Sequence, residues 1–366
     1  MHHARETILS HIVRLPGLID VHVHLRTPGA PQKEGFATGT AAALAGGFTT
    51  VLAMPNTHPA VVDAASFESC LALARPAIRC DVGFYVGATE TNAQEAAQLA
   101  PRTVGLKMYL GQTYGPLLLS QLAAVMAHFQ TWPGRTPIAV HAEGLLLAAA
   151  IGLSRLSGIS LHCCHISRKA EVLLIRRAKE GGARVTCEVT PHHLFLTDED
   201  ARALGPLGFM KPTLGSASDR QALWDNLDVV DIVASDHAPH TREEKAQPDP
   251  PPGVPGLETT LPLMLTAVNE GRLSMERLRE LLVENPARIF ALPSSRDTHI
   301  EIDLQAKHTL GDRPLFTRCG WTPFAGYPAR GRLQRVFVKG RLAFDDGQVL
   351  LEPGSGGIVH ARGSTK

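Results

Sequence analysis

Leu18-Ile19-Asp20-Val21-His22-Val23-His24-Leu25-Arg26 is the stretch that decides the fold. It extends an apolar run over residues 15–21, reads as a β-strand, and ends in two histidines at alternate positions. Residues i and i+2 of an extended chain point to one side, so His22 and His24 can aim both imidazoles at one point. Neutral imidazole is a good zinc ligand. Arg26 follows two residues further out on the same side, where its planar fork suits bidentate capture of a carboxylate. The pattern points to a hydrolytic metal site for an acidic substrate. The plainer reading is three polar residues leaving a core strand.

Outward from this stretch, apolar β-rich runs recur at 48–54, 81–86, 104–110, 137–140, 159–164, 184–189 and 229–235. Helical patterns lie between them at 33–46, 64–74, 92–99, 118–129, 144–156, 168–179 and 218–227. Strands alternating with helices predict an α/β fold, a (β/α)8 barrel. A doubly wound open sheet competes, but it would usually carry a glycine-rich phosphate turn after the first strand, and none is present. The polar residues favour the barrel. His22, His24, Asn56, Lys107, His141, His165, Glu188 and Asp236 all fall at or near strand C-terminal ends, the face where barrel enzymes carry their sites.

Beyond a Pro/Gly-rich loop at 248–256, helical patterns cover 259–270 and 274–284. From about 296 the character changes to short strands at 331–338 and 341–344, with a frayed tail from about 354. The expected organisation is a polar N-terminal arm at 1–14, a metal-dependent barrel at 15–295, and a small β-rich appendage at 296–366.

Composition narrows the function. The 366 residues carry a formal charge of +1 with no basic, aromatic-interleaved patch, which argues against nucleic acid as a partner. No apolar run reaches membrane-spanning length. The cysteines, Cys70, Cys80, Cys163, Cys164, Cys187 and Cys319, show no CxxC spacing and no signal peptide precedes them, so reduced thiols in the cytoplasm are expected.

On one barrel face, His22, His24, His141, His165 and Asp236 exceed the needs of a single open zinc site, which keeps three protein ligands. Two metals a few ångströms apart fit the set better. A free Lys107 ammonium between two divalent cations would be repelled. Carboxylated by carbon dioxide, the same side chain becomes an anionic carbamate whose oxygens can bridge both metals. The alternative for Lys107 is a solvent-facing or ion-paired lysine.

Seven segments appear in order: GLIDVHVHLR, AMPNT, GLKMYLG, VHAE, CCHISRK, CEVTPHH and ASDHAPHT. Together they strongly resemble the dihydroorotases of the amidohydrolase superfamily, from residue 15 to about 292. EVTPHHLFL, PPGVPGLETTLPL and WTPF are similar to the dihydroorotase domains of animal multifunctional pyrimidine-synthesis proteins. The resemblance implies zinc-dependent, reversible cyclisation of N-carbamoyl-L-aspartate to (S)-dihydroorotate with loss of water. It implies that His22, His24 and Asp236 hold one zinc, that His141 and His165 hold the second, and that carboxylated Lys107 bridges them. Cys164 and Glu188 take positions associated with an additional metal. Asp236 would move the proton. Arg26, Asn56, Lys211, His240 and Pro252 would contact substrate, Lys211 standing where arginine or asparagine is usual. Thr27 likewise replaces a usual acidic residue. Gly111-Gln112-Thr113-Tyr114-Gly115 matches a mobile lid, with Thr113 reaching the reacting centre and Tyr114 sealing the pocket. The resemblance also implies a homodimer and partnership with carbamoyl-phosphate synthetase and aspartate transcarbamoylase domains. Competing readings are another cyclic amidase, such as an allantoinase or dihydropyrimidinase, and a non-catalytic scaffold domain.

Overall fold

A computed structural model describes residues 11–293 and 295–362. Most of the expected N-terminal arm lies outside the described residues. Strand β1 (Ile12–Pro16) leads through Gly17 into β2 (Leu18–Val23). Strands β3 (Phe48–Ala53), β4 (Asp81–Gly87), β5 (Gly105–Tyr109), β6 (Ile138–His141), β7 (Leu161–Cys163), β8 (Val185–Val189) and β9 (Ile232–Val233) follow. β2 to β9 pair in parallel in chain order, with helices in the connections. This is the (β/α)8 barrel expected from the alternation. The strands are buried on both faces, β2 and β5 along their whole length, which is why they read as unbroken apolar runs.

The barrel closes through side-chain chemistry at one seam. β9 is two residues long, and the return to β2 is a single bridge, Val23 to His237, with the His24 amide donating to the His237 carbonyl at 2.8 Å. Below it, both Asp20 carboxylate oxygens lie 3.2 Å from the Ser235 amide. Asp20 thus supplies the acceptor that a missing strand residue would have offered.

The single strand expected at 15–21 is in fact divided. Residues 12–16 belong to a second, antiparallel sheet, where β1 pairs with β10 (His299–Thr309). β11 (Pro328–Val338), β12 (Arg341–Asp345) and β13 (Gln348–Val349) complete that sheet. A Cβ on Gly17 would lie 2.2 Å from Thr49 Oγ1 and 2.8 Å from Thr298 Cγ2, so only glycine fits where the chain crosses between sheets. The tail is not frayed throughout: β14 (Ile358–Val359) returns to pair with β4 of the barrel.

Two further contacts tie the appendage to the barrel. Glu258, on helix Leu257–Asn269, accepts the backbone N–H groups of Phe316 and Thr317 at 3.0 and 2.9 Å. The Trp321 indole donates to the His240 carbonyl at 2.7 Å. The residues after 315 therefore brace a loop at the mouth of the barrel. Among the described residues, no helix is long and apolar enough to cross a membrane.

Candidate active site

The strand ends converge as the barrel geometry requires. His22, His24, Arg26, Asn56, Thr113, Tyr114, His141, His165, Lys211, Asp236 and Pro252 line one cleft at the C-terminal face, whereas Thr27 faces an adjoining apolar pocket. Lys107 and Glu188 are fully buried beneath the cleft, Cys164 nearly so, and His240 is buried behind Arg26.

Hydrogen bonds fix which nitrogen each imidazole presents. His22 Nδ1 lies 2.5 Å from Glu188 Oε1, and His24 Nδ1 lies 2.7 Å from Asn56 Oδ1. Carboxylate and amide oxygens only accept, so both Nδ1 atoms carry the proton and both Nε2 lone pairs are left free. Each Nε2 is 3.3 Å from Asp236 Oδ1. His22, His24 and Asp236 thereby form a compact three-ligand group, and His22, Cys164 and Glu188 form another. Glu188 is engaged as well by His162 Nε2 at 3.0 Å and the His165 amide at 3.2 Å.

His141 and His165 stand edge to face with ring centroids 4.6 Å apart. His141 Nδ1 lies 2.9 Å from His165 Nε2, while His141 Nε2 and His165 Nδ1 are buried without a protein partner. A buried, orphaned ring nitrogen costs free energy; a cation beside it satisfies the lone pair. The donor set therefore fits divalent metal.

Burial above all, with Lys107, Arg26 and the neighbouring imidazoles adding to it, holds His22, His24, His141 and His165 below the usual histidine range, His141 at about 3. Neutral rings are the ligating form. Burial opposes ionisation of Glu188 too, yet His22 and His162 overcome it and keep its carboxyl well below the usual range. Burial raises Asp236, and His22 and Lys107 offset only part of that rise. A carboxylate made more basic is suited to accept a proton.

Lys107 Nζ lies 2.9 Å from Cys164 Sγ and 5.1 Å from the Tyr109 ring centre. Arg26 donates from Nε to the Pro239 carbonyl at 3.2 Å and faces Tyr114, its Cζ 5.1 Å from the ring centre. The 111–115 loop lies over the cleft: Asn56 Nδ2 donates to the Tyr114 carbonyl at 3.0 Å and Lys211 Nζ to the Gln112 carbonyl at 3.2 Å. Asn56 is thus committed at both ends, to His24 and to the 111–115 loop.

Backbone strain concentrates here. Among the described residues, Arg26, His165 and Asp236 are half of the non-glycine residues with positive φ, at 54°, 37° and 43°. Each such residue costs on the order of 1–3 kcal/mol and persists where the surroundings over-determine it.

Some participants were not legible in advance. Lys33, expected inside a helix at 33–46, precedes the helix Phe36–Ala45 and turns inward, 5% exposed. Glu34 beside it accepts from His237 Nε2 at 3.2 Å and from Thr317 Oγ1 at 2.6 Å. Lys245 donates to the carbonyls of Phe209, Pro251 and Gly253, shaping the loop that bears Pro252.

Known proteins resemble this chain in sequence and in fold. A family model described as dihydro-orotase-like matches residues 11–105. The multifunctional protein CAD of Squalus acanthias is 49% identical over 358 residues, which is 97% of this chain and 16% of that protein. The chain therefore spans only a small part of that multifunctional relative. A dihydroorotase of Pyrococcus abyssi is 35% identical, with 94% of this chain and 87% of that protein covered. Among solved structures, an L-hydantoinase (dihydropyrimidinase) from Arthrobacter aurescens superposes with a TM-score of 0.91 at 28% identity, covering 95% of this chain and 88% of that one. The inactive dihydroorotase-like domain of a Chaetomium thermophilum CAD-like multifunctional protein gives 0.81 at 27%, covering 95% and 99%. Matched along nearly its whole length by a stand-alone enzyme of similar size, the chain belongs to the dihydroorotase family.

Proposed function

We propose that the protein is a working dihydroorotase, interconverting N-carbamoyl-L-aspartate and dihydroorotate in pyrimidine synthesis. The observation that carries this reading is the juxtaposition of two imidazole pairs, Asp236 and the Arg26 fork in one cleft, with Lys107 buried directly beneath it. In this reading His22, His24 and Asp236 would hold one zinc and His141 and His165 a second, and Lys107, carboxylated by addition of its Nζ to carbon dioxide with loss of a proton, would supply an anionic ligand to both. Cys164 and Glu188 flank the place for an additional ion. The metals, when bound, supply an acidified water and polarise the amide carbonyl.

The chain's own residues do the rest. Arg26 takes the substrate carboxylate in its fork, and Lys211 adds a point charge at the rim. In hydrolysis the Asp236 carboxylate accepts a proton from the attacking water and delivers it to the ring nitrogen as the C–N bond breaks. In cyclisation it takes the ureido proton as that nitrogen attacks the side-chain carboxyl group and water departs. Thr113 and Tyr114 close over the cleft and exclude bulk water.

The likeness to a hydantoinase favours a second reading, a cyclic amidase of a neutral ring. Arg26, buried and aimed into the cleft, argues for an anionic substrate. Comparing turnover of dihydroorotate, hydantoin and dihydrouracil by one metal-loaded preparation tests this. Preference for dihydrouracil would overturn the assignment, and no turnover of any would align the chain with the inactive neighbour.

The same reading makes the protein a cytoplasmic homodimer, functioning beside other pyrimidine-synthesis domains such as carbamoyl-phosphate synthetase and aspartate transcarbamoylase. Exposed Leu122 and Met126 on helix Leu122–Thr131, with Leu145 and Leu146 on helix Gly144–Ser157, support an apolar contact surface. A monomeric mass at high micromolar concentration would count against the dimer.

A further inference from the structure

We propose that Lys33 is a positioning residue with two linked tasks: it latches the lid through the Tyr114 hydroxyl, and it fixes the tautomer of His240. The inference deepens the proposed reaction and rests on the reading of residues 111–115 as a lid.

An ammonium has N–H donors for three partners and no acceptor. Lys33 Nζ finds three acceptors: Tyr114 Oη at 2.9 Å, Glu244 Oε1 at 2.9 Å and His240 Nδ1 at 3.3 Å. It also sits 4.6 Å from the Tyr114 ring centre. Glu244 is itself held, its Oε2 accepting the Thr241 amide at 3.1 Å at the start of the short helix Arg242–Lys245. One buried cation thus joins the lid tip to the far wall of the cleft.

The consequence for His240 follows from donor counting. Lys33 can only donate, so His240 Nδ1 accepts and the ring proton resides on Nε2. Nε2–H then donates to the Pro252 carbonyl at 3.1 Å. Arg26 Nη2 lies 3.0 Å from Nε2, within hydrogen-bonding distance, but in this tautomer it is a donor facing a nitrogen that has no lone pair to offer. Its N–H groups stay uncommitted on that side and available to an incoming carboxylate. Without Lys33, the ring is free to place its proton on Nδ1, and Nε2 then accepts from Arg26 and competes with substrate.

The latch depends on the hydroxyl. Phenylalanine at 114 keeps the ring contact but offers Lys33 no oxygen.

The test uses Lys33→Met, Tyr114→Phe and the double variant of the full chain. Hydrogen exchange of the lid segment around 111–115, measured without substrate, is expected to speed up about tenfold in Lys33→Met, the size of one lost charge-assisted hydrogen bond. Tyr114→Phe gives a smaller increase, and the double variant exchanges no faster than Lys33→Met. KM for dihydroorotate rises about tenfold in Lys33→Met while kcat changes less, and Lys33→Arg recovers part of the loss. In 15N spectra the His240 Nδ1 signal moves from the acceptor position toward the protonated one. Unchanged lid exchange in Lys33→Met, or fully multiplicative effects in the double variant, would overturn the latch. An unaltered His240 signal would overturn the tautomer role. A wild-type protein that turns over no dihydroorotate refutes the reaction, and the exchange arm then still decides the latch.

Discussion

Lys107 Nζ lies 2.9 Å from Cys164 Sγ, fully buried, and makes no ion pair with a carboxylate among the described residues. A buried ammonium with a thiol as its nearest polar neighbour is poorly compensated. Carboxylation, as proposed, would convert it into an anion that a cluster of neutral imidazoles and cations can accommodate.

Lys107→Ala is therefore expected to lower turnover by about 100-fold or more and to reduce bound metal. Wild-type protein equilibrated with 13C-bicarbonate should show a carbamate carbon resonance that the variant lacks. Wild-type turnover in Lys107→Ala would refute the bridge.

Asp236→Asn keeps the shape and removes the basic oxygen. We expect kcat to drop by about 10²–10⁴-fold, the range for losing a general base, with the circular dichroism spectrum unchanged. Retained turnover would move the proton-carrying role elsewhere.

Thr113→Ala removes one hydroxyl from the 111–115 loop, the proposed lid. About a tenfold or greater loss in kcat is expected, as for one transition-state hydrogen bond, with metal content unaltered. Equal metal loss would mean that the loop holds the site together and is not a gate.

Glu258 sets a pH dependence away from the cleft. Burial pushes its carboxyl up to about 7, although the Phe316 and Thr317 amides pull it down. The folded state therefore keeps a proton that the unfolded chain releases near 4.5. This contribution is fully present below about pH 4.5 and is lost as pH rises through 7, amounting to at most about 3 kcal/mol. Urea midpoints between pH 5 and 8 should decline less steeply in Glu258→Gln than in wild type. Parallel slopes would show that Glu258 is ionised in the folded protein.

The barrel was legible because strands covered on both faces must be continuous apolar runs, and helices between them must show the longer period. Site residues were legible for the same reason: His141 and Asp236 stand where apolar runs stop. What escaped depends on distant partners. Lys33 meets Tyr114 and His240 across 81 and 207 residues, and nothing local marks it. The break at Gly17 is invisible locally because β1 and β2 share one extended pattern; Thr49 and Thr298 create it. The short helices Pro191–Phe195 and Asp198–Leu204 carry purely local signals. Thr190 caps the first with proline at its start, and Thr197 with Asp200 forms a capping box for the second.

The crossing at Gly17 also dictates an order of assembly. Strands β2 to β9 each find a partner in the next strand along the chain, whereas residues 12–16 must wait for residues 299–303. Pairing across so long a loop is a late event. Until it occurs, β1 is unpaired on both edges and able to recruit strands from other molecules on either side, whereas in the finished sheet one edge is covered by β10. Refolding yield is therefore expected to fall as protein concentration rises, and a peptide matching residues 299–303 should protect the chain while the sheet is still incomplete.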